Sequence, residues 1–125
     1  MSDQPTSARP QDVENRRQYY RVEYPVVDRP QFASGAIHGL VSDCSETGVR
    51  VELGPVPGDV TLEVGERMGG TVRFKSGAAV DVAGDVVRFG DGLLILRLDR
   101  QRIPFAQILR EQWWLRRKYP WRTAK

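Results

Sequence analysis

Two short runs hold side chains whose types and spacing suit recognition of a charged, planar ligand. RRQYYR, residues 16–21, sets Arg17 and Arg21 four apart, beside Arg16 and two tyrosines. A guanidinium offers two parallel N–H donors to a phosphate or a base edge, and a flat cationic face that stacks on a ring. An ammonium has the charge without the fork or the plane. DCSETG, residues 43–48, sets Asp43, Ser45 and Gly48 in a D-x-S-x-x-G pattern, with twenty-one residues between Arg21 and Asp43. If that stretch is extended, Asp43 and Ser45 share one face and Cys44 takes the other. Gly48 either takes a positive φ or lets a ligand come close to the backbone. Each run also has a plainer reading. RRQYYR alone is a solvated basic run on an arm, and DCSETG alone is an Asx turn closing a hairpin.

Other chemistries are argued against by what is missing. His38 is the single histidine, so any triad, metal site or neutral-pH general base would have to use it. It sits between apolar neighbours in AIHGLV, where it reads as a strand-surface residue. No G-x-S-x-G elbow, phosphate-binding glycine loop or dinucleotide fingerprint occurs. The lone Cys44 excludes a disulfide framework or a multi-cysteine zinc site. Nothing approaches an unbroken apolar run of about 18 residues, and the N-terminus lacks the pattern of a secretory signal. The expectation is a non-enzymatic, cytoplasmic protein without a membrane span. At 125 residues, 40% of them hydrophobic, the chain is long enough for one core.

The elements that must position these side chains are short strands. Residues 1–15 are polar and carry Pro5 and Pro10, which predicts a disordered arm. Val22 to Tyr24 begins a strand and Ala36 to Ser42 is the next. Gly48 to Leu53 alternates cleanly, with Val49, Val51 and Leu53 on one face. Val60 to Val64, Gly70 to Phe74, Ala79 to Phe89 and Leu93 to Leu98 complete the series, the last two joined by a tight turn at Gly90-Asp91-Gly92. Short strands with glycine-rich turns and no interleaved helix predict an antiparallel barrel. After Pro104 the period becomes helical. Phe105, Ala106, Ile108, Leu109, Trp113, Leu115 and Tyr119 fall in one half of the wheel, and Arg110, Glu111, Arg117 and Lys118 fall outside it. An amphipathic helix ending near Pro120 follows, with Trp114 projecting from its polar side. Charge separates along the chain. Residues 1–99 hold 11 Lys and Arg against 15 Asp and Glu, whereas residues 100–125 hold 8 against Glu111 alone. A basic C-terminus suits an anionic partner.

Together, RRQYYR and DCSETG resemble the paired RxxxR and (D/N)xSxxG motifs of the PilZ domain family. The resemblance extends over about residues 15–100, through GDVVRFGDGLLILRLD, which is similar to that family's last two strands. It implies an all-β fold with a C-terminal helix: a flexible arm over 1–15, a six-stranded antiparallel β-barrel over 16–99, and a basic amphipathic helix and tail over 100–125 packed on the barrel. It implies a receptor for the bacterial second messenger cyclic di-GMP, without catalysis and without a cofactor or metal. Arg17, Arg21, Asp43, Ser45 and Gly48 are the ligand-binding residues it points to. The arginine at position 16 implies a ligand taken as an intercalated dimer, two molecules per chain. Asp43 would accept from guanine N1–H and N2–H₂, and the arginines would take phosphate or stack on a base. The signal would pass by conformational change to a separate downstream protein, since the sequence shows no output domain. The stretch Gly54 to Glu66 is longer than a minimal hairpin and reads as an insertion. A reading from another class is a small β-barrel that binds single-stranded nucleic acid through Trp113, Trp114, Tyr119 and Trp121. A third, a degenerate PilZ domain used only for protein interaction, is opposed by the intact motifs.

Overall fold

The computed structural model describes residues 20–120. Residues 1–19, which include the expected arm over 1–15 and then Arg16 and Arg17, and residues 121–125, which include Trp121, lie outside that span. The described chain runs β1 (Val22–Glu23), β2 (Gln31–Ser34), β3 (Ile37–Ser45), β4 (Gly48–Leu53), β5 (Arg67–Arg73), β6 (Ala79–Gly90), β7 (Leu93–Gln101) and α1 (Phe105–Lys118), with one 3-10 turn at Val26–Asp28. Every strand pairing is antiparallel. β3, β2, β5, β6, β7 and β4 follow one another round a barrel, which closes because β4 pairs back on β3. This is the expected six-stranded barrel, with β1 added as a seventh strand. β3 is nine residues long, enough to share one edge between β2, through Ile37–Leu40, and β1, through Asp43 and Cys44.

Inward side chains at alternate positions fill the barrel. Phe32, Val41, Val51, Val72, Val82, Leu94 and Leu96 are all buried, and Ile103 and Ile108 add to the same core from beyond β7. The expected strand Val60 to Val64 is not one. Val60 and Leu62 lean on the core from a loop, and Val64 is exposed. The sixth barrel strand is instead QFAS, β2, whose one large apolar residue is Phe32. Its extended form is held by backbone pairing on both edges, to β3 and to β5. The Asp91-Gly92 turn between β6 and β7 is as expected. Both residues have positive φ, the geometry whose twist matches the flanking strands.

Where β6 crosses β7 the register shifts at Ala83–Gly84, and the two backbones approach too closely for a side chain. A Cβ on Gly84 would overlap the Arg97 carbonyl oxygen and lie 2.7 Å from the Leu98 Cα. Both obstacles are backbone, so nothing can swing aside. Gly84→Ala is expected to destabilise the fold by about 3 kcal/mol. A urea unfolding midpoint equal to that of the parent protein would contradict this.

α1 packs with a different face from the one the wheel predicts. Gln107, Ile108 and Glu111 are its buried residues, while Phe105, Leu109 and Trp113 are exposed. The reason is polar. Glu111 accepts hydrogen bonds from the Tyr24 hydroxyl at 2.7 Å, from the Gln107 amide at 3.0 Å and from the Ser76 hydroxyl. These bonds offset the cost of burying a carboxylate and set the helix's rotation. Trp114 is half-buried, with the Lys118 ammonium 5.1 Å from its ring centre. Lys118 and Tyr119 both donate to buried Asp28, fixing the C-terminal end of the helix.

Candidate functional site

The sequence pattern brings Asp43 to the right face only with help from a bulge. In β3 the inward residues are Val41 and then Cys44, three apart rather than two. The register against β4 shifts between Val41, opposite Val51, and Asp43, opposite Arg50, so Ser42 is the extra residue. The bulge rephases the strand. Cys44 turns into the core, 2% exposed, and Asp43 and Ser45 face outward together. A strict alternation continued from Val41 would have pointed both of them inward.

β1 then delivers the arginine. Val22 pairs with Cys44 and Glu23 with Asp43, so the chain just before β1 runs beside the end of β3. Arg21 Nη2 lies 3.0 Å from Asp43 Oδ1. Arg21, Asp43, Ser45 and Gly48 border one open cavity of 240 Å³, with Arg50 and Ile95. The Ser45 hydroxyl accepts the Thr47 backbone N–H at 3.3 Å and shapes the β3–β4 turn. Gly48 does not have a positive φ, which removes the first of its two expected roles. A Cβ there would meet only ordinary contacts, 3.7 Å from Ser45 Oγ and 3.8 Å from the Leu96 carbonyl oxygen. Gly48 is half-buried at the border of the cavity, and its lack of a side chain leaves its backbone within reach there. Arg16 and Arg17 lie outside the described residues.

Two members of this surface were not legible as site residues. Arg50 pairs with Asp43 on one side and Ile95 on the other. A second cation and an apolar floor therefore continue the site across β4 and β7. Their signal in the sequence is only the outward phase of Arg50 in the alternation of β4. Ile95 sits among buried leucines in LLILRL and reads as core. Near the same place the chain touches the helix. The Tyr20 ring meets Phe105 edge-on, 4.8 Å between ring centres, and the Gln112 side chain donates to the Arg21 carbonyl at 3.4 Å.

Cys44 reports on this arrangement. Burial pushes its thiol up to about 12, and the negative charges of Glu111 and Asp43 act in the same direction, against a hydrogen bond from Tyr24. A thiol is nucleophilic only as thiolate. Alkylation at pH 8 is therefore expected to be slow in the folded protein and rapid in urea. Equal rates in the two conditions would mean that Cys44 does not face the core.

No metal-holding cluster of His, Cys, Asp and Glu occurs among the described residues, and no helix among them is long and apolar enough to cross a membrane. Residues 15–110 match the family described as PilZ domain. No match was found among the curated proteins. The fold is similar to that of the Bacillus subtilis inhibitor of motility MotI/DgrA, with a TM-score of 0.53 at 19% identity over 80% of this chain. The matched part is 49% of that protein, so this chain spans about half its length.

Proposed function

This chain belongs to the PilZ domain family, and from that premise we propose that it is a receptor binding cyclic di-GMP on the outer face of β3 and β4. The observation that carries the reading is the meeting of two motifs distant in sequence, with Arg21 Nη2 3.0 Å from Asp43 Oδ1 beside Ser45 and Gly48. Nη2 on one carboxylate oxygen leaves the other guanidinium donors of Arg21 for a phosphate. It also leaves Oδ2 of Asp43 for guanine N1–H and N2–H₂. Gly48, without a side chain at the border of the cavity, lets the ligand reach the backbone, and Ile95 gives a base an apolar surface. Arg17 supplies a second fork, and Arg16 a cation or a stacking plane for a second ligand molecule. The bound ligand then alters the segment around Arg21, which already touches α1 at Phe105 and Gln112. A partner protein reads the change.

The test is calorimetric titration with cyclic di-GMP and, in parallel, cyclic di-AMP. Tight binding of the first, saturating at two per chain, and weak binding of the second are expected. Adenine lacks the paired donors for Asp43, and a site built around such bonds rejects an analogue by orders of magnitude. Arg16→Leu is expected to move the ratio toward one without abolishing binding. Saturation of the parent protein at one ligand would remove Arg16 from the site, and equal binding of both dinucleotides would remove Asp43's role.

A further inference from the structure

The rotation of α1 leaves an unusual surface. On a wheel of about 100° per residue, its solvent side is an apolar stripe of Ala106, Leu109 and Trp113 about 60° wide, with Arg116 on one flank and Arg110 and Arg117 on the other. Trp113 is 61% exposed, although it is one of the largest apolar side chains in the protein. The side chains of this face and the adjoining Trp114 enclose an open groove of 850 Å³. Among the described residues, neither Arg116 nor Arg117 makes an ion pair, and Arg110 is bonded only to the side-chain amide oxygen of Gln107 on its own helix. The single acid of the helix, Glu111, is buried on the opposite side. No acid on the helix balances the exposed cations.

We propose that this face is a docking surface for an acidic amphipathic helix of a partner protein, one with an apolar stripe flanked by Asp and Glu. The inference rests on the receptor reading only for its role as the output. Its physical basis is independent. A stripe at i, i+3 and i+7 is matched by a helix laid along it, and cations on both flanks select acids on both flanks of that helix. Exposed Trp beside Arg is the composition of an interface anchor. Two other anionic occupants fit less well. A membrane-surface helix uses an apolar arc wider than about 100°, and the flanking arginines confine this one. Single-stranded nucleic acid needs successive exposed rings. Among the described residues Trp113 is exposed, but Trp114 lies beneath Lys118 and Tyr119 is bonded to Asp28. A second copy would bring like charges together.

The experiment uses the full chain and three probes: a synthetic helical peptide with a leucine stripe flanked by glutamates, phosphatidylglycerol vesicles, and oligo-dT. The peptide is expected to bind. Trp113→Ala should weaken it about 30-fold or more, and Arg110→Glu with Arg117→Glu should abolish it. The same peptide with lysines in place of the glutamates should bind the double variant and not the parent. All these side chains are at the surface, so the variants are expected to keep the parent's unfolding midpoint. Peptide affinity indifferent to Trp113, or no charge-swap rescue, overturns the proposal. So does tighter binding of vesicles or oligo-dT that depends on the same residues. Cyclic di-GMP titration of the same variants separates the two readings. An unchanged affinity with loss of the peptide supports this surface, whereas absence of nucleotide binding in the parent defeats the receptor reading and leaves the peptide result to stand.

Discussion

Arg21→Ala is expected to weaken cyclic di-GMP binding about 30-fold or more while leaving the fold intact. Removing one side of a hydrogen-bonded charge pair between ligand and protein costs roughly 2–5 kcal/mol. The Arg21–Asp43 pair itself contributes little to stability, because the arginine side chain is 45% exposed and solvent screens the attraction. Affinity and stability should therefore separate cleanly. Arg21→Lys should fall between parent and alanine, since lysine restores charge without the two-pronged donor. Arg17→Ala is expected to behave like Arg21→Ala. Calorimetry and urea unfolding on the same preparations provide the check. Unchanged affinity in both alanine variants would remove the arginines from the site, and a large fall in stability would make the arginine structural.

Glu111→Ala is expected to produce the reverse pattern, a loss of about 3 kcal/mol in stability. It strands the Tyr24 hydroxyl and the Gln107 amide where they are buried, and takes the acceptor from the half-buried Ser76 hydroxyl. Each unsatisfied buried group costs roughly 1–3 kcal/mol, partly offset because a buried charge is also removed. Glu111→Gln should be milder, because its carbonyl oxygen still accepts. Glu111→Leu combined with Tyr24→Phe should recover part of the loss by removing donor and acceptor together. Unfolding followed by tryptophan fluorescence distinguishes these, and equal midpoints for alanine and parent would show that the helix is held by other contacts. The network also predicts behaviour in alkali. Burial raises the Tyr24 phenol far above its ordinary 10.0, with the Cys44 and Glu111 charges adding to the shift. A folded-state value raised above the unfolded one gives stability that is present below pH 10 and is lost as pH climbs beyond it, because only the unfolded chain releases the proton. Tyr24→Phe should flatten that decline.

The contacts of Tyr20 and Arg21 with the helix give the two variants a common meaning. Arg21 lies one residue before β1, and Tyr24 one residue after it. One short strand thus connects the proposed ligand grip to the carboxylate that sets the rotation of α1. The rotation in turn decides that Trp113 faces solvent.

The fold class was legible from local sequence signals, as were the residue types of much of the candidate site. Period-two alternation in GVRVEL, glycine-rich turns and the switch to helical period after Pro104 are local signals, and β4, the Asp91-Gly92 turn and α1 stand where those signals put them. The spacing of Arg21 from Asp43, and the types of Asp43, Ser45 and Gly48, were likewise legible, because side-chain chemistry is written residue by residue. Phase and partnership, by contrast, come from contacts between elements far apart in the chain. β2 has one large apolar residue and owes its extension to neighbours on both edges, whereas Val60 and Leu62 look more like a strand and find no partner edge among the described residues. The bulge at Ser42 arises from the register of β3 against β4, and without it alternation would send Asp43 into the core. The helix wheel places Glu111 outside because a charge prefers water. In the fold Tyr24 and Ser76, remote in sequence, meet it with hydroxyl donors, and that compensation reverses the preference and turns Trp113 outward. A hydropathy pattern records the cost of burying each residue alone. It does not contain the hydrogen bonds that other strands bring to it.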